Sequence, residues 1–178
     1  MIYKNIFLTG ERNCGKSTLI NNILSEIKLE YRGYKTLPYY IDNDEMGYYL
    51  RGLFKDENLK GVISVKVKEN KVVPIIDTFD FMGTYILRKS IEDKNSNIII
   101  LDEIGFLENK SEKFKNEIYN CLSSKKFVLG VLKKKDTEFL NGIKDRQDTL
   151  VINIENISYD DRDILKEELV RLLKDKNN

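Results

Sequence analysis

At 178 residues and 41% hydrophobic content, the chain can bury roughly 70% of its unfolded surface as one domain, without a disulfide or a structural metal. Lys and Arg number 30 against 29 Asp and Glu, so a net charge of +1 supplies no global field toward nucleic acid or a membrane surface. Histidine is absent and the two cysteines, Cys14 and Cys121, make neither a disulfide framework nor a metal knuckle, which leaves any acid–base work to Asp, Glu, Lys or Tyr.

The opening "MIYKNIFLTG" lacks the apolar stretch of a signal peptide, and the longest aliphatic run, Ile98 to Leu101, is too short to span a bilayer. The reading is of a cytoplasmic protein with no membrane partner. No repeat and no Pro- or Ser-rich linker divides residues 1–178, so a single domain is expected, acting as a monomer.

In chain order, Asn5 to Thr9 reads as a buried strand ending at Gly10. Ser17 to Ile27 reads as a helix, with Leu19, Ile20, Ile23, Leu24 and Ile27 at helical spacing. Residues 31–76 change to short β-prone pieces: Tyr39–Ile41, Tyr48–Leu53, Val62–Val67 and Val72–Ile76. Turn-like "DNDEMG" and "KENK" separate them, and the segment is expected to be an antiparallel hairpin insertion. Asp77 or Thr78 is expected to cap a helix through about Glu92. Ile98 to Leu101, apolar at every position, predicts a central strand. Ser111 caps a predicted helix to about Ser123, with Phe114, Ile118 and Leu122 on one side. Strands at Phe127–Leu132 and Leu150–Ile154 flank a short helix over Thr137–Ile143. Ser158 with Asp161 forms a capping box for the last helix, and residues 175–178 read as a frayed tail. Helices alternate with strands from Thr78 onward, which predicts an α/β fold with a mostly parallel sheet.

Two motifs carry chemistry. "GERNCGKS", Gly10 to Ser17, sits between a strand and a helix, the arrangement of a phosphate loop. Its glycines admit backbone angles closed to other residues, and its amides, with the helix dipole behind them, can face an oxyanion. Glu11, Arg12, Asn13, Cys14, Gly15 and Thr18 contribute backbone amides. Lys16 reaches the β- and γ-phosphates, and the Ser17 hydroxyl suits Mg²⁺. The second motif is "NIIILDEIG", an aliphatic strand that ends in paired acids. Asp102 can hold Mg²⁺, and Glu103 can orient a water and accept its proton.

On "TGERNCGKSTLI" and "IIILDEIGFLE", continued by "SEKFKNEIYNCLSSKKFVLGVL" and "FLNGIKDRQDTLVINI", the chain resembles the THEP-type P-loop nucleoside triphosphatases. The resemblance implies a RecA-like core and Mg²⁺-dependent hydrolysis of ATP, GTP and other nucleoside triphosphates to diphosphate and phosphate. It also implies nucleotide contacts at Gly10 through Ser17 and at the strand end Leu101, Asp102, Glu103, Ile104 and Gly105. "GVLKKKD" departs from the Thr-Val-His-like segment expected of relatives.

Three further features are weighed. Six tyrosines between Tyr31 and Tyr49 can stack on a base, or simply pack on hairpins. Lys133, Lys134 and Lys135 can screen phosphate charge or stand solvated. Arg51, Arg88 and Arg146 are candidates for an internal arginine finger. A nucleotide or small-molecule kinase is the alternative function. A guanine-nucleotide switch reading through Asp136 ranks below it, because Lys133 stands where an Asn would brace the pocket.

Overall fold

The computed structural model describes residues 3–68 and 71–175. Its strands are β1 (Asn5–Thr9), β2 (Tyr31–Ile41), β3 (Asp44–Gly52), β4 (Lys60–Lys68), β5 (Lys71–Pro74), β6 (Ile98–Ile104), β7 (Phe127–Leu132) and β8 (Thr149–Asn153). They form one sheet in the order β5-β4-β3-β2-β6-β7-β1-β8. Pairing is parallel from β2 to β8 and antiparallel from β5 to β2.

The helices are α1 (Lys16–Ile27), α2 (Ile76–Thr78), α3 (Thr84–Glu92), α4 (Glu112–Ser123), α5 (Glu138–Lys144) and α6 (Tyr159–Asp175). Strand alternation sends Ile98 and Ile100 into a core layer with α1 and α6. Ile99 and Leu101 enter the opposite layer with α3, α4 and α5. Burial on both faces is why β6 reads as an unbroken aliphatic run.

The segment 31–76 is not wholly an insertion. From Tyr31 to Lys35, β2 pairs in parallel with β6, from Tyr34 onward it pairs antiparallel with β3, and past Lys35 only the β3 pairing continues. Gly33 disguised this strand. It holds φ 114°, and a Cβ there would lie 2.0 Å from the Ile100 carbonyl oxygen, so the two backbones meet too closely for any side chain. Gly33→Ala is expected to cost at least about 2 kcal/mol of stability through strain and a broken ladder, read as a lower denaturation midpoint in urea.

The predicted "DNDEMG" turn contracts to Asp42 and Asn43, both with positive φ as a two-residue hairpin requires, and β3 begins at Asp44. Of "KENK", Glu69 and Asn70 lie outside the described residues. The last helix runs through Asp175, and the rest of the expected frayed tail, 176–178, also lies outside them.

The expected cap at Asp77 or Thr78 is corrected. The helix begins earlier, at Ile76, behind an uncapped Ile75, so both residues fall inside its first turn. It then passes through a π-turn at Phe79–Gly83 into α3. Gly83 lets the helix close on Phe114, whose ring would stand 2.7 Å from an added Cβ. The expected caps at Ser111 and Ser158 hold, accepting from the amides of Phe114 and Asp161, and Thr137, expected inside its helix, instead caps it by accepting from the Leu140 amide.

Candidate active site

At the C-terminal edge of the parallel strands a cavity of about 710 Å³ opens between the β1–α1 loop, the end of β6, the end of β7 and the projecting β2–β3 arm. Ligand sites in open α/β sheets lie at this edge.

The loop after β1 has the backbone its sequence demands. Gly10, Asn13 and Gly15 all hold positive φ, at 142°, 65° and 95°. Gly15 stands at the head of α1 with no side-chain cap, so the amides of the first turn face the cavity unclaimed by a cap. Glu11, Arg12 and Asn13 are exposed, whereas Cys14 turns inward. Its Sγ would meet a Cβ on Gly10 at 2.8 Å, and it packs against the α1–α6 core layer. The Lys16 Nζ donates to the carbonyls of Gly10 (2.9 Å) and Glu11 (2.7 Å), which holds the ammonium across the mouth of the loop. Ser17 and Thr18 line the cavity beside it.

The acid pair sits where the β6–β7 ladder breaks register between Leu101 and Ile104, an irregularity that re-aims side chains at a sheet edge. The Asp102–Glu103 peptide bond is cis. Asp102 is 6% exposed and has no ion-pair partner among the described residues. Burial, then the Glu103 charge, pushes its pKa up to about 6, against the pull of Lys35 and Lys16. Glu103 stays half-buried, its Oε1 3.1 Å from the Lys133 Nζ, and its amide donates to Thr36 Oγ1 at 3.3 Å.

The cavity thus brings together Gly10, Glu11, Arg12, Asn13, Gly15, Lys16, Ser17, Thr18, Asp102, Glu103 and Gly105. Three expected nucleotide contacts do not reach it by their side chains. Leu101 and Ile104 are wholly buried in the core, and Cys14 packs behind the loop. The arginine-finger candidates are corrected as well. Arg88 pairs with Glu117, Arg146 pairs with Asp148, and Arg51 lies on β3, so none of the three lines the cavity. Asp136 accepts from the Asn141 side chain and is also outside it. Lys133, Lys134 and Lys135 all line it, with Lys134 bridging Glu11 (3.3 Å) and Glu155 (3.0 Å).

Several lining residues were not foreseen. Thr36, Pro38 and Glu45 come from the β2–β3 arm, beside Tyr40 and Tyr48 of the tyrosine-rich stretch. The tyrosines divide between uses: Tyr40 and Tyr48 face the cavity, while Tyr34 is core. Glu108 lines the cavity floor at 3% exposure, accepts from the Gly105 amide at 3.0 Å, and is pushed up to about 7 by burial. Arg162, on α6, donates to the carbonyls of Cys14 (2.8 Å), Ile154 (2.7 Å) and Ile157 (2.9 Å), tying the phosphate loop to the end of β8.

The residues present fit a magnesium ion. A serine hydroxyl and an unpaired, buried carboxylate in one cavity are the hard oxygen donors Mg²⁺ takes when substrate phosphates complete its shell. No group of three or more His, Cys, Asp and Glu forms an all-protein metal cage among the described residues. No helix among them is long and apolar enough to cross a membrane.

A parallel sheet whose first strand feeds a glycine loop into a helix, with an acid-bearing strand two places along, is a phosphate-loop α/β protein of the RecA-like kind. The model of the NTPase family matches residues 5–170, and the chain belongs to that family of enzymes. The nucleoside-triphosphatase THEP1 of Methanocaldococcus jannaschii is 30% identical over 156 residues, 85% of this chain and 89% of that one. THEP1 of Thermotoga maritima is 26% identical over 171 residues, 95% of each chain. Among solved structures, THEP1 from the hyperthermophile Aquifex aeolicus aligns with a TM-score of 0.73 at 23% identity, covering 96% of this chain and 99% of that one. A human cancer-related nucleoside triphosphatase aligns with a TM-score of 0.74 at 21% identity, covering 97% and 98%. These two structures bear on the fold alone.

Proposed function

We propose that the chain hydrolyses the γ-phosphate of nucleoside triphosphates, ATP and GTP among them, in a Mg²⁺-dependent reaction carried out by one domain. The observation that carries this reading is the convergence of Lys16, Ser17, Asp102 and Glu103 on one cavity, from segments far apart in the chain. Relatives named nucleoside-triphosphatase support the class of reaction.

The loop amides and the Lys16 ammonium receive the β- and γ-phosphates, where Lys16 exchanges its two carbonyl partners for phosphate oxygens. Ser17 and Asp102 would hold Mg²⁺, which would supply neutralisation of the charge that develops on the transferring phosphoryl group. Glu103, open to the cavity and held by Lys133, orients the attacking water and takes its proton. The arm residues Pro38, Tyr40 and Tyr48 form the wall of the cavity on its far side.

The test is phosphate release from ATP, GTP, CTP and UTP, each with and without Mg²⁺. Turnover is expected with Mg²⁺ and at least a 100-fold loss on chelation, restored by adding the metal back, since charge neutralisation on the transferring group dominates such reactions. Equal rates in excess chelator would remove the metal role of Ser17 and Asp102.

A further inference from the structure

We propose that Arg12 is the arginine this chain supplies to the γ-phosphate, and that Glu45 on the β2–β3 arm holds its guanidinium until substrate arrives. This role rests on the hydrolytic reading above and names a residue that reading leaves out.

Arg12 stands within the phosphate loop, between Gly10 and Gly15, and its side chain reaches across the cavity mouth. Its Nη2 lies 3.0 Å from Glu45 Oε2, and Tyr48 donates to the other oxygen of Glu45 at 2.9 Å. All three residues line the cavity with Glu103 and Lys133. Other arginines are committed elsewhere: Arg32 to Glu30 and Asp93, Arg88 to Glu117, Arg146 to Asp148, and Arg162 to three backbone carbonyls. Of the described residues, Arg12 is the arginine that lines this cavity.

Its partner can be exchanged. The Arg12 side chain is 74% exposed, and an ion pair in that setting is weak, whereas a triphosphate offers pairs of anionic oxygens that a guanidinium fork can take bidentately. Of the lysines in the same wall, Lys133 is paired with Glu103, and Lys134 is shared between Glu11 and Glu155.

In the step itself the water oxygen bonds to the γ-phosphorus as the bond to the β–γ bridging oxygen breaks. The bridging oxygen keeps the electron pair and leaves on the diphosphate, and the water proton passes to Glu103. Arg12 donates to the phosphoryl oxygens on which charge gathers, so its contribution is larger in the transition state than in the bound ground state.

The experiment compares Arg12→Ala, Arg12→Lys and Glu45→Gln with the wild type in steady-state phosphate release. It also measures binding of Mg·ADP with and without aluminium fluoride, and of a non-hydrolysable ATP analogue. Arg12→Ala is expected to lower kcat about 30- to 100-fold, the scale of charged hydrogen bonds. Its Kd for the analogue should stay within about 5-fold, while the aluminium fluoride complex loses affinity in step with kcat. Arg12→Lys recovers little, because an ammonium cannot form the planar fork. Glu45→Gln, which loosens the guanidinium without removing it, is expected to lower kcat by less than Arg12→Ala does. If Arg12→Ala turns over within 3-fold of wild type, or if Glu45→Gln falls as far as Arg12→Ala, the pair is a structural latch and the proposal is overturned. A wild-type chain without triphosphatase activity would instead overturn the hydrolytic reading itself. Melting temperatures of the variants, whose changes are on the surface, separate either result from misfolding.

Discussion

Lys16→Ala is expected to lower kcat/KM for Mg·ATP about 1000-fold, the upper end of what losing one preorganised donor costs. Lys16 is 8% exposed, yet its Nζ meets only uncharged partners, the carbonyls of Gly10 and Glu11 and, at 3.6 Å, the Cys14 Sγ, and has no ion-pair partner among the described residues. A nearly buried ammonium that makes no ion pair is a site prepared for an anion that arrives from outside. In the ground state the loop amides share the phosphate charge with it. As the γ-phosphoryl leaves, charge moves onto the β–γ bridging oxygen, and the ammonium becomes worth more. Binding of a non-hydrolysable analogue should therefore weaken only about 10-fold while kcat carries the rest. Calorimetry beside single-turnover phosphate release separates the two. A variant with kcat within 10-fold of wild type would mean that the ammonium braces the loop and does not serve the reaction. Helix α1 is anchored independently by Leu19, Ile20 and Ile23, all deep in the core, so the fold should survive the change.

What the sequence disclosed was local. Gly10 and Gly15 were legible because a positive φ is a property of one residue, and Lys16 and Ser17 because their distance from the glycines is fixed by the chain. Asp102 and Glu103 were legible because an aliphatic run must stop where the sheet meets water. The arm was not. Thr36, Pro38, Tyr40, Glu45 and Tyr48 reach the cavity only because β2 pairs with β6 as far as Lys35 and then overshoots the edge. That register follows from the close approach at Gly33, which in the sequence looks like a strand breaker. Arg162 lies 148 residues from the loop carbonyl it holds, and nothing within its own helix signals that partner. Choosing arginines by type alone failed for a related reason. Arg88 is neutralised by Glu117, which packing brings from α4, and Arg146 by Asp148, its near neighbour in the chain.

Glu103→Gln is expected to slow hydrolysis between about 100- and 1000-fold while leaving nucleotide affinity nearly intact, the range for loss of a positioned base. The assignment of base to Glu103, and of metal ligand to Asp102, follows from their different surroundings. Asp102 is sunk below the sheet edge, where burial disfavours its charge until a cation arrives, and it has no ion-pair partner among the described residues. Glu103 stays open to the cavity, fixed through its amide to Thr36 and through its carboxylate to Lys133. Glutamine keeps the size and the backbone bond but cannot take a proton, and it releases Lys133 toward the phosphates. The analogue Kd should thus stay within about 3-fold of wild type even as the chemical step fails. Asp102→Asn should show the opposite split, with Mg²⁺-dependent nucleotide binding lost first. If Glu103→Gln hydrolyses within about 5-fold of wild type in single turnover, the proton goes to another acceptor, and Glu108, the remaining carboxyl on the cavity floor, is the group to replace next.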